Sequence, residues 1–292
     1  MKRAAIFVAT MALAGALSAQ QTGTPTPPPA QPGAAQAGAA QAGAAATTPA
    51  VKRPPQAKTQ PEYDAYKAAM GSASDPAAME KASDDFATKY PDSELRVLLY
   101  RQTMHSYQSA NNADKMMDAG RKVLKIDADD PEALIGVAEV LAERTRDTDL
   151  DKDQRLDEAM KLAQHATETV DTDVAAPVGT PQERLDAYKG FLRSSAYSIL
   201  GTLNFNKDKF AEAEGYFRKS IDALPSQPDP IAVLRLAICL DKQEKYPEAL
   251  KYSEQAVQLT QDGTNEGKVA RSEHSRLVQL TSGSAPAAQP PK

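Results

Sequence analysis

Apolar residues recur at three- and four-residue spacing through a central stretch of about 220 residues, from Pro61 to Leu280. This spacing places them on one face of an α-helix. There is no sustained alternation of apolar and polar residues of the kind that is typical of strands. The prolines stand mostly at helix starts or in joining loops, as in Asp130-Pro131 and Tyr246-Pro247. The pattern therefore predicts an all-α fold.

Two segments near the C-terminal end of this stretch repeat one another. The matching positions are Phe210, Ala213, Phe217 and Ser220 in the first segment and Tyr246, Ala249, Ser253 and Ala256 in the second. The alanines at 213 and 249 are 36 residues apart, and the pairs Leu200-Gly201 and Leu236-Ala237 stand upstream. A period of this length indicates two-helix repeats that stack into a solenoid.

These residues resemble the tetratricopeptide repeat. Its first helix, helix A, carries a Leu-Gly pair, and its second helix, helix B, carries an Ala, a large side chain and a small residue before a Pro. The resemblance implies close helix packing at the small residues, which are Gly201, Ala213, Ser220, Ala237, Ala249 and Ala256. It also implies that larger residues fill the gaps between pairs, among them Phe210, Phe217, Tyr246 and Leu259.

Earlier units keep the same frame in a more degenerate form. Residues 157–166 and 132–141 fit helix B and helix A of a third unit, residues 97–130 a second unit, and residues 75–90 the helix B of a first. We expect helix A of the fourth unit to run unbroken from Gln182 to Phe205, with a break near Gly190 as the alternative. The fold class predicted is an all-α, tetratricopeptide-like α-solenoid of about five helix pairs, with a capping helix from about Asn265 to Leu280.

The first residues are typical of an export signal. Lys2 and Arg3 precede a short apolar stretch, residues 4–16, and small residues up to Ala19 allow cleavage before Gln20. We interpret residues 1–19 as a signal peptide, with a buried first helix as the alternative. The apolar stretch is too short to span a bilayer, which needs about 20 residues.

The segments that flank the solenoid have a different composition. Residues 20–60 are mostly Ala, Gly, Gln, Pro and Thr, and residues 281–292 have the same character. Because they hold few large apolar groups, burial cannot offset the entropy of ordering them. We predict a disordered linker over 20–60, the solenoid over 61–280, and a disordered tail over 281–292.

Charge and cysteine content exclude several classes of protein. The formal net charge is −5, and it becomes −7 without Lys2 and Arg3, which argues against a nucleic-acid partner. A bacterial lipoprotein needs a cysteine at the cleavage point, where Gln20 stands, so we expect no N-terminal lipid anchor. The one cysteine, Cys239, lies in an apolar helical stretch and is expected to be buried and inert.

Catalytic and cofactor motifs are absent from the sequence. His105, His165 and His274 lie in different units and form no zinc-binding pair, and there is no phosphate loop or nucleophile elbow. We therefore predict a protein that is not an enzyme and needs no cofactor.

One acidic stretch resembles the calcium-binding loop of an EF-hand. Its carboxylates occupy positions 1, 3, 5, 7 and 12 of such a loop, and they are Asp147, Asp149, Asp151, Asp153 and Glu158. The resemblance fails at position 6, where a Gly is needed and Lys152 stands. The alternative is a solvated insertion that lengthens one loop by about nine residues.

The resemblance also predicts a binding surface. In such solenoids the inner side of each helix A lines a concave groove for extended or helical peptides. The family frame places ten residues of this chain there: Arg101, His105, Gln108, Ile135, Glu139, Ser198, Thr202, Phe205, Leu234 and Asp241. For each of them an ordinary exposed or half-packed position is the alternative.

The leading functional hypothesis is a non-enzymatic scaffold that binds a protein or peptide in the periplasm or cell envelope of a bacterium, or after secretion. The export signal, the flexible linker and the repeat frame motivate it. Residues 86–93 also resemble the helix endings of bacterial envelope repeat proteins, a short motif that several repeat families share. The second hypothesis is a calcium- or ligand-responsive binding protein that uses Asp147 to Glu158. The third is a protein that contacts cell-wall glycan, and the absence of tryptophan gives it little support.

Overall fold

The protein is described by a computed structural model over residues 52–177 and 179–282. Eleven α-helices and no strand form within these ranges, so the predicted all-α fold is confirmed. The helices are α1 (Gln60–Met70), α2 (Pro76–Lys89), α3 (Arg96–Ser109), α4 (Ala113–Ile126), α5 (Pro131–Arg144), α6 (Lys152–Thr169), α7 (Gln182–Phe205), α8 (Phe210–Ala223), α9 (Pro230–Lys242), α10 (Tyr246–Leu259) and α11 (Asn265–Thr281). The predicted signal peptide, most of the predicted linker and most of the predicted tail lie outside the described residues.

The helices pack as five consecutive pairs, α1/α2 to α9/α10, and α11 covers the open end against α10 and α9. This is the predicted solenoid with its capping helix. Helix α7 is continuous over 24 residues from Gln182 to Phe205, as expected for helix A of the fourth unit. We refer to the pairs as units one to five, and to the odd-numbered helix of each pair as its helix A.

Most of the helices have a short polar side chain at the N-cap position, where it accepts a hydrogen bond from a backbone N–H of the first turn. Asp130, for example, accepts a hydrogen bond from the backbone N–H of Ala133, and Pro131 occupies the first turn. Each such cap stabilises its helix by about 1 kcal/mol. The capping side chains are Thr59, Asp75, Asn112, Asp130, Asp229 and Thr264.

The turn from helix A to helix B has the same backbone geometry in three units. Asn111, Asp208 and Glu244 adopt φ angles of 55°, 56° and 60° in units two, four and five. This left-handed conformation reverses the chain in a few residues, and Asn and Asp tolerate it better than other non-glycine residues. The repeat is therefore visible in the backbone as well as in the side chains.

Small side chains allow the close approach of paired helices. The six predicted small positions are all buried. At Gly201 a Cβ atom would lie 2.6 Å from the ring of Phe217, so the glycine is required by the ring that packs on it. Phe217 is fully buried in a cluster with Leu236 and Leu240 of α9. Leu259 departs from the expectation, because its side chain at the end of α10 is 38% exposed and fills no gap.

The acidic stretch also differs from the expected long loop. The loop between α5 and α6 covers residues 145–151, because α6 begins at Lys152 and takes the second half of the stretch into its first turns.

An extended segment precedes the first helix. Residues 52–58, which we call the strap, lie at the end of the predicted linker and contact the loops that join consecutive units. Helix α1 begins at Gln60, one residue before the predicted start of the solenoid.

Candidate protein-binding surface

The odd-numbered helices line one side of the solenoid. Helix α1 packs against α3, α5 against α7, α7 against α9, and α9 against α11, whereas the even-numbered helices of the described residues have no comparable contact with one another. Because helices approach most closely on the inside of a curved stack, the odd-numbered helices line its concave side. We call this side the inner face.

A cluster of charged groups occupies the inner face between units two and three. Arg101 on α3 forms an ion pair with Asp130, and its other terminal nitrogen lies 3.6 Å from Glu132 of α5. His105, one turn further along α3, lies 2.9 Å from Glu132. Tyr188, in the second turn of α7, also hydrogen-bonds Glu132. Side chains of three successive helices A therefore meet at one carboxylate.

The protonation of this cluster follows from its charges. Burial alone would raise the pKa of Glu132, but Arg101 and the hydrogen bond with His105 lower it to about 2. Burial raises the pKa of Tyr188, and the neighbouring Glu132 raises it further. The phenol therefore stays protonated and donates a hydrogen bond to the Glu132 carboxylate. The carboxylate is charged and fully engaged at neutral pH.

Glu139, two turns further along α5, has the opposite environment. Burial raises its pKa to about 7, and the negative charges of Glu143 and Asp229 contribute to the shift. Asp229 itself caps α9 and accepts a hydrogen bond of 2.9 Å from the hydroxyl of Ser198. Three carboxylates therefore lie close enough to influence one another in this part of the inner face.

The end of α7 carries an aromatic ring on the inner face. Phe205 packs edge-on against Phe210, with 5.7 Å between ring centroids. The guanidinium of Arg235 lies 5.9 Å from the Phe205 centroid and also hydrogen-bonds the hydroxyl of Thr202. Two predicted residues, Thr202 and Phe205, thus share one cation from α9.

The remaining predicted residues are spread over the surface and the core. Gln108 is half-buried at the end of α3, and Asp241 of α9 pairs with Arg276 of the capping helix. Ile135 and Leu234 belong to hydrophobic clusters and are 7% and 5% exposed, so they leave little area for a partner. The structure brings Arg101 with His105, and Thr202 with Phe205, into local groups.

Sequence patterns did not reveal the partners of these residues. Asp130, Glu132 and Tyr188 complete the cluster around Arg101, yet they were not among the predicted residues. Asp130 could be read as a helix cap, and it is one. Tyr188 lies in the part of α7 that extends beyond a regular repeat, where no family position corresponds to it.

The carboxylates of the EF-hand-like stretch have other roles. Asp147 pairs with Lys152 at 2.7 Å, Asp149 accepts from the backbone N–H of Arg146, and Glu158 pairs with Arg121 at 2.9 Å. Asp151 precedes α6 and Asp153 lies in its first turn. Across residues 52–177 and 179–282, no group of three or more His, Cys, Asp or Glu side chains is placed to hold a metal ion.

The cysteine and two further histidines are structural. Burial raises the pKa of the Cys239 thiol to about 12, so the thiolate that would act as a nucleophile is scarce. His165 contacts Asp129 at 2.7 Å, and His274 contacts the hydroxyl of Ser253 at 3.1 Å. In the part of the chain that the structure describes, no helix combines the length and the apolar character needed to cross a membrane.

Comparisons with known proteins concern the architecture. No protein-family model matches the chain, and no curated protein is significantly similar to it. Among solved structures, PilF of Pseudomonas aeruginosa is 18% identical, with 78% of this chain and 93% of that one covered and a TM-score of 0.47. PilW, a type IV pilus biogenesis factor, is 20% identical, and the match covers 78% of this chain and 96% of PilW with a TM-score of 0.46. A TPR protein of Thermus thermophilus is 11% identical over 75% and 100%, with a TM-score of 0.43.

At these identities the likeness concerns the fold alone. The helix pairs of the structure, their close contacts at small residues and their capping helix are themselves the architecture of a tetratricopeptide-like α-solenoid.

Proposed function

We propose that this chain is a non-enzymatic scaffold of the bacterial cell envelope that binds a segment of another protein along its inner face. The observation that carries the proposal is the inner face itself, where side chains of α3 reach Glu132 of α5, and α5, α7 and α9 pack in succession. Stacked helix pairs present such surfaces to extended or helical peptides. The signal-like residues 1–19 support the compartment.

The charges of the inner face indicate the chemistry of the partner segment. Two of its cations are engaged within the chain, since Arg101 pairs with Asp130 and Glu132, and Arg276 pairs with Asp241. The neighbouring carboxylates of Glu143 and Asp229 raise the pKa of Glu139. A Lys or Arg of the segment placed beside Glu139 would favour its charged form, so a basic segment fits this part of the surface better than an acidic one.

Site-specific photo-crosslinking in cells of the source organism tests the binding surface. A photoreactive amino acid replaces Gln108 or Thr202 on the inner face, and Gln164 or Glu254 on the exposed side of α6 and α10 serves as the matched control. We expect the two inner-face positions to crosslink the same protein and the two control positions not to do so. Equal crosslinking from all four positions, or from the controls alone, would place binding elsewhere.

The compartment is tested on the full-length protein with a C-terminal tag. We expect the purified protein to begin at Gln20 and to appear in the periplasmic or extracellular fraction. A protein that retains Met1 and fractionates with the cytoplasm would exclude export, and it would leave the crosslinking result to stand alone.

A further inference from the structure

The strap runs along the edge of the solenoid where consecutive units are joined. This edge carries the loops 90–95, 127–130 and 170–181, which lead from each helix B into the next helix A. The strap contacts residues in all three loops, which belong to the junctions between units one and two, two and three, and three and four. A segment of seven residues is thus connected to four units.

Lys52 joins the two junctions that flank unit three. Its backbone N–H donates to the carbonyl of Thr172 at 2.8 Å, and its Nζ lies 2.5 Å from Asp127 and 3.2 Å from Asp173. The two carboxylate side chains are only 17% and 21% exposed, so solvent screens these pairs less than pairs on the open surface. Burial acts to lower the pKa of Lys52, but the hydrogen bonds and charges of Asp127 and Asp173 outweigh it and raise the pKa.

Arg53 and the residues after it hold the first junction. Arg53 donates two hydrogen bonds to Glu94, at 2.8 and 2.5 Å, in a bidentate pair. The backbone N–H of Gln56 donates to the same carboxylate at 3.2 Å, and Nζ of Lys58 donates to the carbonyl of Asp92 at 2.8 Å. The ion pair between Arg53 and Glu94 is exposed, so its bidentate geometry contributes more to holding the junction than its charge does.

The loop 127–130 is the centre of this arrangement. Its three carboxylates contact three different elements: Asp127 the strap, Asp129 His165 of α6, and Asp130 Arg101 of α3. The loop 127–130 is therefore in contact with the strap through Asp127 and with the charged cluster of the inner face through Asp130. A change in the strap acts on the segment that positions α5 relative to α3.

We propose that the strap is a clasp that sets the spacing of units one to four and, through the loop 127–130, the width of the inner face. The curvature of a solenoid is the sum of small rotations between neighbouring units, so a link across three junctions restricts all of them together. Residues 52–58 act on the groove without lying in it. Release of the clasp widens the range of groove shapes, whatever the groove binds.

Electron spin resonance distances on the full chain test this proposal. Spin labels are attached at Ala77→Cys on α2 and Ala211→Cys on α8, which are exposed in units one and four, while the native Cys239 is buried. In the variant with Lys52→Ala and Arg53→Ala we expect a broader distribution of label distances with a shifted mean. In that variant the backbone amide of residue 52 should exchange about tenfold faster or more than in the wild type, because its hydrogen bond to the carbonyl of Thr172 opens.

The control variant removes two positive charges, as the strap variant does, but from two helices outside the strap. Lys125→Ala with Lys161→Ala changes two exposed lysines of α4 and α6 and should leave the distances unchanged. The exchanged pair Arg53→Glu with Glu94→Arg should restore a narrow distribution relative to Arg53→Glu alone. Distances that stay the same in the strap variant would overturn the proposal, and so would equal broadening in the control. Faster exchange of the residue 52 amide in the strap variant without any change in the label distances would overturn it as well.

Discussion

The junction between units two and three and the junction between units four and five are held in different ways. The first places Arg101, with a side chain only 21% exposed, against the fully buried Asp130 and against Glu132. The second packs Phe217 of α8 against Leu236 and Leu240 of α9. A buried ion pair depends on both partners, whereas an aromatic cluster depends on volume. Apolar side chains also pack across the first junction, among them Met104, Met116 and Val140. The comparison teaches that a repeat fold can combine a buried ion pair with apolar packing at one junction and use an aromatic cluster at another.

The largest expected effect comes from removing one partner of the charged junction. Arg101→Met leaves Asp130 buried without its counter-charge, and we expect a loss of about 3–5 kcal/mol in the free energy of unfolding. Urea unfolding at pH 7, followed by circular dichroism, measures it. The double variant with Asp130→Asn should recover part of the loss, because Asn still caps a helix and carries no charge. A smaller loss of unfolding free energy in Arg101→Met than in the double variant would show that the unpaired charge of Asp130 is not the cause of the loss.

Glu139 is expected to make stability depend on pH. Its folded pKa of about 7 lies above the usual value for Glu, so the folded protein holds the proton more tightly than the unfolded chain. The stabilisation is therefore complete below about pH 4.5 and is lost as the pH rises through 7, by roughly 3 kcal/mol at most.

The variant Glu139→Gln removes this dependence. We expect it to be more stable than the wild type at pH 8 and to lose that advantage at pH 5, as measured by urea unfolding at both values. Glu254→Gln on the exposed side of α10 is the control. A difference between wild type and Glu139→Gln that stays constant with pH would show that Glu139 titrates normally.

A smaller effect is expected inside unit four, where Gly201 of α7 contacts the Phe217 ring of the aromatic junction. Gly201→Ala places a Cβ atom against the Phe217 ring, and we expect a loss of roughly 1–3 kcal/mol from overpacking. The variant gains up to about 1 kcal/mol of helix propensity, which offsets part of this. Thermal unfolding of Gly201→Ala, Phe217→Leu and the double variant forms a cycle. We expect the double variant to lose less stability than the sum of the losses in the two single variants.

The smallest effect is expected from an exposed ion pair that joins the same two units as the charged junction. Arg121 and Glu158 are about 40% exposed and lie on α4 and α6. Arg121→Ala should change the free energy of unfolding by less than about 1 kcal/mol, because solvent screens the pair. Urea unfolding beside Arg101→Met measures the contrast directly. A similar loss in both variants would mean that burial is not what distinguishes the charged junction.

The repeat frame could be predicted because it depends on local size. Gly201, Ala213 and Ala249 stand where helices touch, and the 36 residues between the two alanines are the length of one unit. The unbroken α7 was expected because no strong helix breaker lies between Gln182 and Phe205. The left-handed residue Glu244 carried no such signal, because Glu seldom adopts that conformation.

The contacts of charged side chains could not be predicted in this way. Arg101 was assigned to a binding surface from its position on helix A, but its partners belong to the next unit, 29 and 31 residues away. Lys52 and Arg53 lie in a proline-rich stretch whose composition is typical of disorder, and the structure nevertheless gives them three carboxylate partners. Helical periodicity determines which face a residue occupies, and it contains no information on which opposite charge will reach it.

The strap has a consequence for the order in which the protein assembles during synthesis. Lys52 leaves the ribosome 121 residues before its partner Asp173 and 75 residues before Asp127. Helix pairs form through local contacts and need no such wait. The first segment of the described chain to be made therefore waits for its partners until the helices of the first three units have been made and the chain has passed residue 173.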